Sequence, residues 1–211
     1  MTKKQAFFIT GTDTGAGKTY VACQLLRHYA AQGLKVVGMK PVAAGREFVH
    51  GAWVHDDVQK LIAASNVVAP IEFVNPYSFD EAIAPHIAAE KVGVEIKIEV
   101  ILHAYQQLSQ MADVVIVEGA GGFLVPLNDK ETLADLVAAL HIPVILVVGI
   151  KLGCINHTLL TAEAITARGH HFYGWVANQI DPNMSAANEN IATLIKRLQT
   201  APLFTYRADA A

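Results

Sequence analysis

The run Gly11-Thr12-Asp13-Thr14-Gly15-Ala16-Gly17-Lys18-Thr19 limits what this chain can fold into more than any other feature. It joins an apolar, β-rich stretch, Ala6–Thr10, to the segment Thr19–Gln32. In that segment Val21, Leu25 and Tyr29 recur at helical i+4 spacing, and Gly33 supplies a stop. Glycines permit the backbone conformations that turn several N–H groups toward one anion. The helix that follows adds the equivalent of about half a positive charge at its N-terminus. Strand, loop and helix in this order make a phosphate cradle, in which Lys18 reaches the β/γ-phosphates and the Thr19 hydroxyl ligates Mg²⁺. The strict pattern places a glycine five positions before Gly17. This chain has Thr12 there and its first glycine at Gly11, so the loop is a variant.

Apolar runs and helix-period segments continue to alternate after the loop. Further strands are expected at Lys35–Lys40, Asp113–Glu118, Pro143–Gly149 and Phe172–Asn178, with helices through Leu133–Leu140 and Ile191–Leu198. The near-continuous Val/Ile character of these runs fits strands buried on both faces. The expectation is an α/β fold: a P-loop NTPase-like, mostly parallel sheet with helices on both faces, formed as a single domain over residues 1–211. Val42–Lys97, with Gly45, Gly51, Pro70, Pro76 and Pro85, reads as loops mixed with short helices. A hydrophobic share of 53% against 17% charged residues excludes disorder. No apolar run reaches the roughly 18 residues of a membrane span. A net charge of −3 gives no basic surface for nucleic acid. Met1-Thr2-Lys3-Lys4 leads into the first strand without a cleavable signal pattern, and Cys23 and Cys154 lie far apart without metal spacing. Together these features point to a soluble cytoplasmic protein with idle thiols in helix starts or turns, and with no membrane or nucleic-acid partner.

The strand ends carry the chemistry. Val114–Val117 runs into Glu118 and then Gly119-Ala120-Gly121-Gly122. A carboxylate there can organise Mg²⁺, and glycines let the backbone approach a ligand. Lys40 ends another strand and adds positive charge where a phosphoryl group would be transferred. Asp57 is a candidate partner of magnesium or phosphate, whereas His50 and His55 in the same stretch make a weak metal pair. His170 and His171 open a strand and read as solvated. No Ser/His/Asp order or Cys/His pair supports covalent catalysis.

With Lys40-Pro41-Val42, Asn75-Pro76-Tyr77, Pro85-His86, Val117-Glu118-Gly119-Ala120-Gly121-Gly122, Pro143–Val148, Lys151-Leu152-Gly153-Cys154-Ile155-Asn156-His157 and Gly174-Trp175-Val176-Ala177-Asn178, the chain resembles the dethiobiotin synthetase family from residue 6 to residue 178. The resemblance implies a homodimeric, cytoplasmic enzyme using ATP and Mg²⁺. It would close a ureido ring on 7,8-diaminononanoate with CO₂ or bicarbonate, through a carbamate and a carbamic–phosphoric mixed anhydride. By the same resemblance Thr14, Lys18 and Lys40 lie near the reacting groups, and Thr19, Asp57 and Glu118 hold Mg²⁺, with Asp56 able to serve after a one-residue shift. Gly15, Ala16, Gly17, Lys18, Thr19, Tyr20, Asp57, Glu118, Gly119, Ala120, Gly121, Asn178 and Gln179 surround the nucleotide, Asn178 at the adenine. Thr14, Lys40, Ala44 and Gly121 face the substrate, and the Leu152–Asn156 loop, with Gly153 and Asn156, meets its carboxylate tail across the dimer interface.

Three positions depart from the family pattern. Ala44 stands where a serine often bonds substrate, a loss of about 1–3 kcal/mol unless something substitutes. Gly15 replaces a residue that is often acidic. Ala201-Pro202-Leu203-Phe204-Thr205-Tyr206-Arg207 is not followed by the family's usual base-covering segment, so looser adenine selectivity is expected. Rival classes fit less well. Partitioning-type switch ATPases carry an extra lysine near the start of the loop, and Gly11–Gly17 has none. A cobyrinate-type amidotransferase needs a fused glutaminase domain, and a small-molecule kinase needs a basic lid where only Arg46 is evident.

Overall fold

Successive residues of the central strand β1 (Gln5–Gly11) face opposite ways, and each side is covered. Phe7 and Ile9 sink into one apolar layer with α1 (Lys18–Ala30) and α2 (Asp56–Ala64). Phe8 sinks into the other with α5 (Ile98–Met111) and α6 (Leu133–Leu140). The strand β7 (Val114–Glu118) repeats the pattern, with Val114 and Ile116 on the first side and Val115 and Val117 on the second. These positions belong to a computed structural model that describes residues 4–49 and 51–207 of the 211-residue chain.

Six strands form one sheet in the order β10 (Phe204–Arg207), β9 (Phe172–Gln179), β8 (Val144–Gly149), β1, β7, β2 (Val36–Met39), and every pairing in it is parallel. Trp175, Leu146 and Val148 pack beneath α7 (Cys154–Ala167) and α8 (Ala187–Leu198). The expected α/β sheet with helices on both faces is present, its strand ends shifted by a residue or so.

Several details differ from expectation. β10 was not foreseen: its burial alternates between half-buried and exposed, as suits an edge strand, so it lacks the apolar run of its neighbours. Val42–Lys97 contains more strand than expected. Within it β3 (Val42–Ala44) pairs in parallel with β6 (Tyr77–Phe79), and β4 (Glu47–Val49) forms a hairpin with β5 (Ala52–Val54). The short helices there are α2, α3 (Ile71–Val74) and α4 (Pro85–Lys91). Leu152–Asn156 is not a loop throughout, because α7 begins at Cys154 after Gly153 at φ +91°. Cys23 lies inside α1 rather than at its start, and both thiols are free and buried. Of the two histidines expected to be solvated, His171 is exposed, while His170 is half-buried edge-to-face against Phe123, with burial lowering its pKa. No described helix is long and apolar enough to cross a membrane.

Candidate active site

Because β7 lies between β1 and β2, the carboxyl ends of these three strands bring the glycine-rich loop, Glu118 and Lys40 side by side. Open parallel sheets bind ligands at that edge. Gly17 caps α1 with φ +86°, and no side chain caps the helix, which leaves the first-turn N–H groups to a ligand. Asn178 reaches over from β9, its Nδ2 donating to the Ala16 carbonyl at 3.0 Å, and pins the loop. Lys18 is buried and donates to the Asp13 carbonyl at 3.0 Å. Burial first, and then the neighbouring Lys40 charge, lower its pKa from 10.5 to about 8.

An ionic cluster sits beside the loop. Lys40 Nζ lies 2.5 Å from Glu118 Oε1 and 2.9 Å from Asp57 Oδ2, and donates to the Gly119 carbonyl at 3.3 Å. Thr19 Oγ1 also donates to Glu118 Oε1, at 2.8 Å. Burial pulls the Lys40 pKa down, yet Glu118 and Asp57 outweigh it and hold the ammonium above its ordinary pKa. Burial likewise pushes the Asp57 carboxyl up, and Lys40 foremost, with the Thr19 hydroxyl and His55, more than reverses that, so its pKa is lowered. Glu118 is 0% exposed, and its Oε2 has no hydrogen-bond partner among the described residues. That unpartnered oxygen, with the Asp57 carboxylate and the Thr19 hydroxyl, is a hard-oxygen donor set of the kind Mg²⁺ prefers when phosphates complete its shell.

These groups open onto a cavity of about 740 Å³, a size typical of small-molecule sites. Thr14, Gly15, Gly17, Ala120 and Gly121 line its polar side. Val42, Ala44, Ile83, Pro85 and Val125 make an apolar wall. Gly121, at φ +64°, packs so closely that a Cβ there would stand 3.1 Å from Val125 and 3.7 Å from the Thr14 hydroxyl.

Of the residues expected at the site, Thr14, Gly15, Gly17, Lys18, Thr19, Lys40, Ala44, Asp57, Glu118, Ala120 and Gly121 line this cavity. Asp57, not Asp56, faces Lys40; Asp56 pairs with Lys60 at the surface. Ala16 and Gly119 contribute backbone beneath it. Tyr20 and Gln179 lie outside its lining, Tyr20 edge-to-face with Tyr206 at 5.3 Å. Leu152, Gly153 and Asn156 also lie outside it, and Leu152 is 95% exposed. His50 falls outside the described residues. The other histidine of that pair, His55, lines the cavity with its ring nitrogens engaged by protein groups. That role, and the apolar wall apart from Ala44, lie beyond the residues expected at the site. The signal for His55 was its place just before Asp56 and Asp57, where a helix cap belongs. Lys151 also forms an ion pair with Asp13, 2.7 Å long, which was not among the expectations.

A parallel sheet, a phosphate cradle at a helix N-terminus and a charged cluster on adjacent strand ends together define a P-loop nucleotide-binding protein. The profile of a family described as an AAA domain matches residues 5–203. The ATP-dependent dethiobiotin synthetase BioD of Nitrosospira multiformis is 56% identical over 194 residues, which is 92% of this chain and 84% of that protein. Its counterpart in Aromatoleum aromaticum is 52% identical over 203 residues, 96% of this chain and 90% of that one. Among solved structures, a ParA family ATPase from Chlorobium tepidum matches with a TM-score of 0.61 at 13% identity, covering 99% of this chain and 86% of its own, a likeness of fold alone. The chain belongs to the dethiobiotin synthetase family.

Proposed function

We propose that this protein carboxylates 7,8-diaminononanoate and closes its ureido ring, consuming CO₂ (supplied as bicarbonate) and ATP and releasing dethiobiotin, ADP and phosphate. The observation that carries the reading is Lys40, a buried ammonium held between Glu118 and Asp57 where the phosphate cradle meets an apolar-walled cavity. One amine captures CO₂ as a carbamate, and a carbamate oxygen attacks the γ-phosphorus, expelling ADP. The second amine then attacks the carbonyl carbon of the mixed anhydride, loses its proton and expels phosphate. Lys18, Lys40 and the loop N–H groups stabilise negative charge that gathers in these steps. Thr14, at the rim, orients the carbamate. The apolar wall receives the alkyl part of the diamine, and holding both amines there makes closure effectively intramolecular. Ala44 adds no hydroxyl to that wall.

Thr19, Asp57 and Glu118 would hold Mg²⁺, which when bound neutralises phosphate charge. Asn178, Gln179 and Tyr20 are assigned to the nucleotide's base end, and Leu152, Gly153 and Asn156 to the substrate carboxylate at the interface of a cytoplasmic homodimer. The test is a mass spectrum of the product from diamine, ATP and ¹³C-bicarbonate. We expect one labelled carbon in dethiobiotin and phosphate release that needs both diamine and bicarbonate. Release of equal size without the diamine would instead mark a nucleotide-switch ATPase.

Lys18 sets a pH dependence. Its folded value near 8 lies below the ordinary 10.5, so between these values the unfolded chain binds more protons. Folding stability without nucleotide therefore rises across that window. Triphosphate binding requires the ammonium, so affinity falls as pH rises past about 8. Melting curves with and without ATP should consequently converge toward pH 10; a constant ATP-induced shift would refute this.

A further inference from the structure

The imidazole of His55 ties together two walls of the cavity. Nδ1 accepts the Asp57 N–H at 3.2 Å and so caps α2, while Nε2 lies 3.2 Å from the carbonyl oxygen of Ala44 at the end of β3. With Nδ1 accepting, Nε2 is the nitrogen that donates, and the Ala44 carbonyl is its acceptor. With both nitrogens engaged, His55 is neither a free base nor a free ligand. The residue whose N–H it holds, Asp57, is the one whose carboxylate meets Lys40 at 2.9 Å. The side chain opposite, Lys40, is buried and already fixed by Glu118, so the position of the first turn of α2 decides whether the third member of the cluster is in register.

We propose that His55 is a positioning residue for the reaction: it straps the first turn of α2 to β3 and thereby sets Asp57 against Lys40 and the Mg²⁺ donors. This rests on the reading of the site as an Mg–ATP-dependent ring-closing centre. Residues that orient a metal ligand from behind typically change metal affinity or activity by about 10- to 100-fold when removed.

The experiment compares His55→Ala, His55→Asn and Ser65→Ala. Asparagine can cap the helix through its Oδ1. Ser65 sits at the opposite end of α2, accepting the Gly38 N–H and donating to the Leu61 carbonyl, away from the cavity. The readouts are Mn²⁺ affinity in the presence of ADP, followed by electron paramagnetic resonance, and kcat with KM for the diamine and for ATP. His55→Ala should weaken Mn²⁺ binding and lower kcat, each about tenfold, while KM for ATP stays within about twofold. His55→Asn should recover most of both losses. Ser65→Ala should lower the melting temperature yet leave Mn²⁺ affinity unchanged. An alanine variant with ordinary Mn²⁺ affinity, or an asparagine variant no better than alanine, overturns the proposal. The Mn²⁺ titration contains no diamine, so its failure is distinct from a failure to form dethiobiotin.

Discussion

Lys40→Met is expected to lower turnover by about a hundred- to a thousandfold, the loss seen when one preorganised charge-stabilising donor is removed. Without added divalent cation it should also destabilise the fold by about 3 kcal/mol, because breaking a buried ion pair strands the remaining charge. Here that charge is Glu118, 0% exposed, whose Oε1 loses its 2.5 Å ammonium and keeps the Thr19 hydroxyl, while Oε2 has no partner among the described residues. Asp57 is partly exposed and contributes less, since water screens it. Adding Mg²⁺ should return much of the lost stability, because a divalent ion can satisfy the same oxygens. Nucleotide affinity should change by less than about tenfold, since the loop N–H groups and Lys18 remain. Urea melts with and without Mg²⁺, beside single-turnover rates and ATP-analogue titration, separate these effects. An unchanged melt, or rate and affinity losses of equal size, would show that Lys40 does not divide its work in this way.

Gly17→Ala should abolish measurable nucleotide binding, a loss of at least about a hundredfold, or some 3 kcal/mol. Two independent faults add. The left-handed conformation at φ +86° costs a side chain about 1–2 kcal/mol. The new Cβ would also stand 2.0 Å from Asn178 Nδ2, a side chain that cannot step aside without releasing the Ala16 carbonyl. Adding Asn178→Ala removes the collision but neither the backbone strain nor the lost pin. Calorimetric titration should therefore show the double variant recovering only a small part of the binding. Full recovery would mean that the collision alone mattered.

Much of the fold was readable because its signals are local. Phe8 beside Ile9 and the Val/Ile run to Glu118 announce buried parallel strands, and the loop from Gly11 to Thr19 announces the cradle between them. What brings Lys40 and Glu118 together is strand order, with Asp57 added from α2, and no local pattern states that β7 lies between β1 and β2. The choice between Asp56 and Asp57 depended on helix phase: one residue turns outward to Lys60 and its neighbour inward to Lys40. His55 was hidden because imidazole is an uncommon helix cap, and its second partner, the Ala44 carbonyl, is backbone. β10 was hidden because an edge strand with one half-wet face need not be apolar.

The central position of β7 also bears on how the chain is made. A ribosome delivers the cradle and Lys40 early, but the slot between β1 and β2 stays open until Val114–Glu118 has emerged and inserted. Such long-range pairing forms late in folding. Until then Lys40 has Asp57 within its own half of the chain but lacks Glu118, the buried carboxylate that holds it in the finished site. The full set of charges is assembled only when the sheet closes, so the ionic cluster belongs to the completed fold rather than to its N-terminal half.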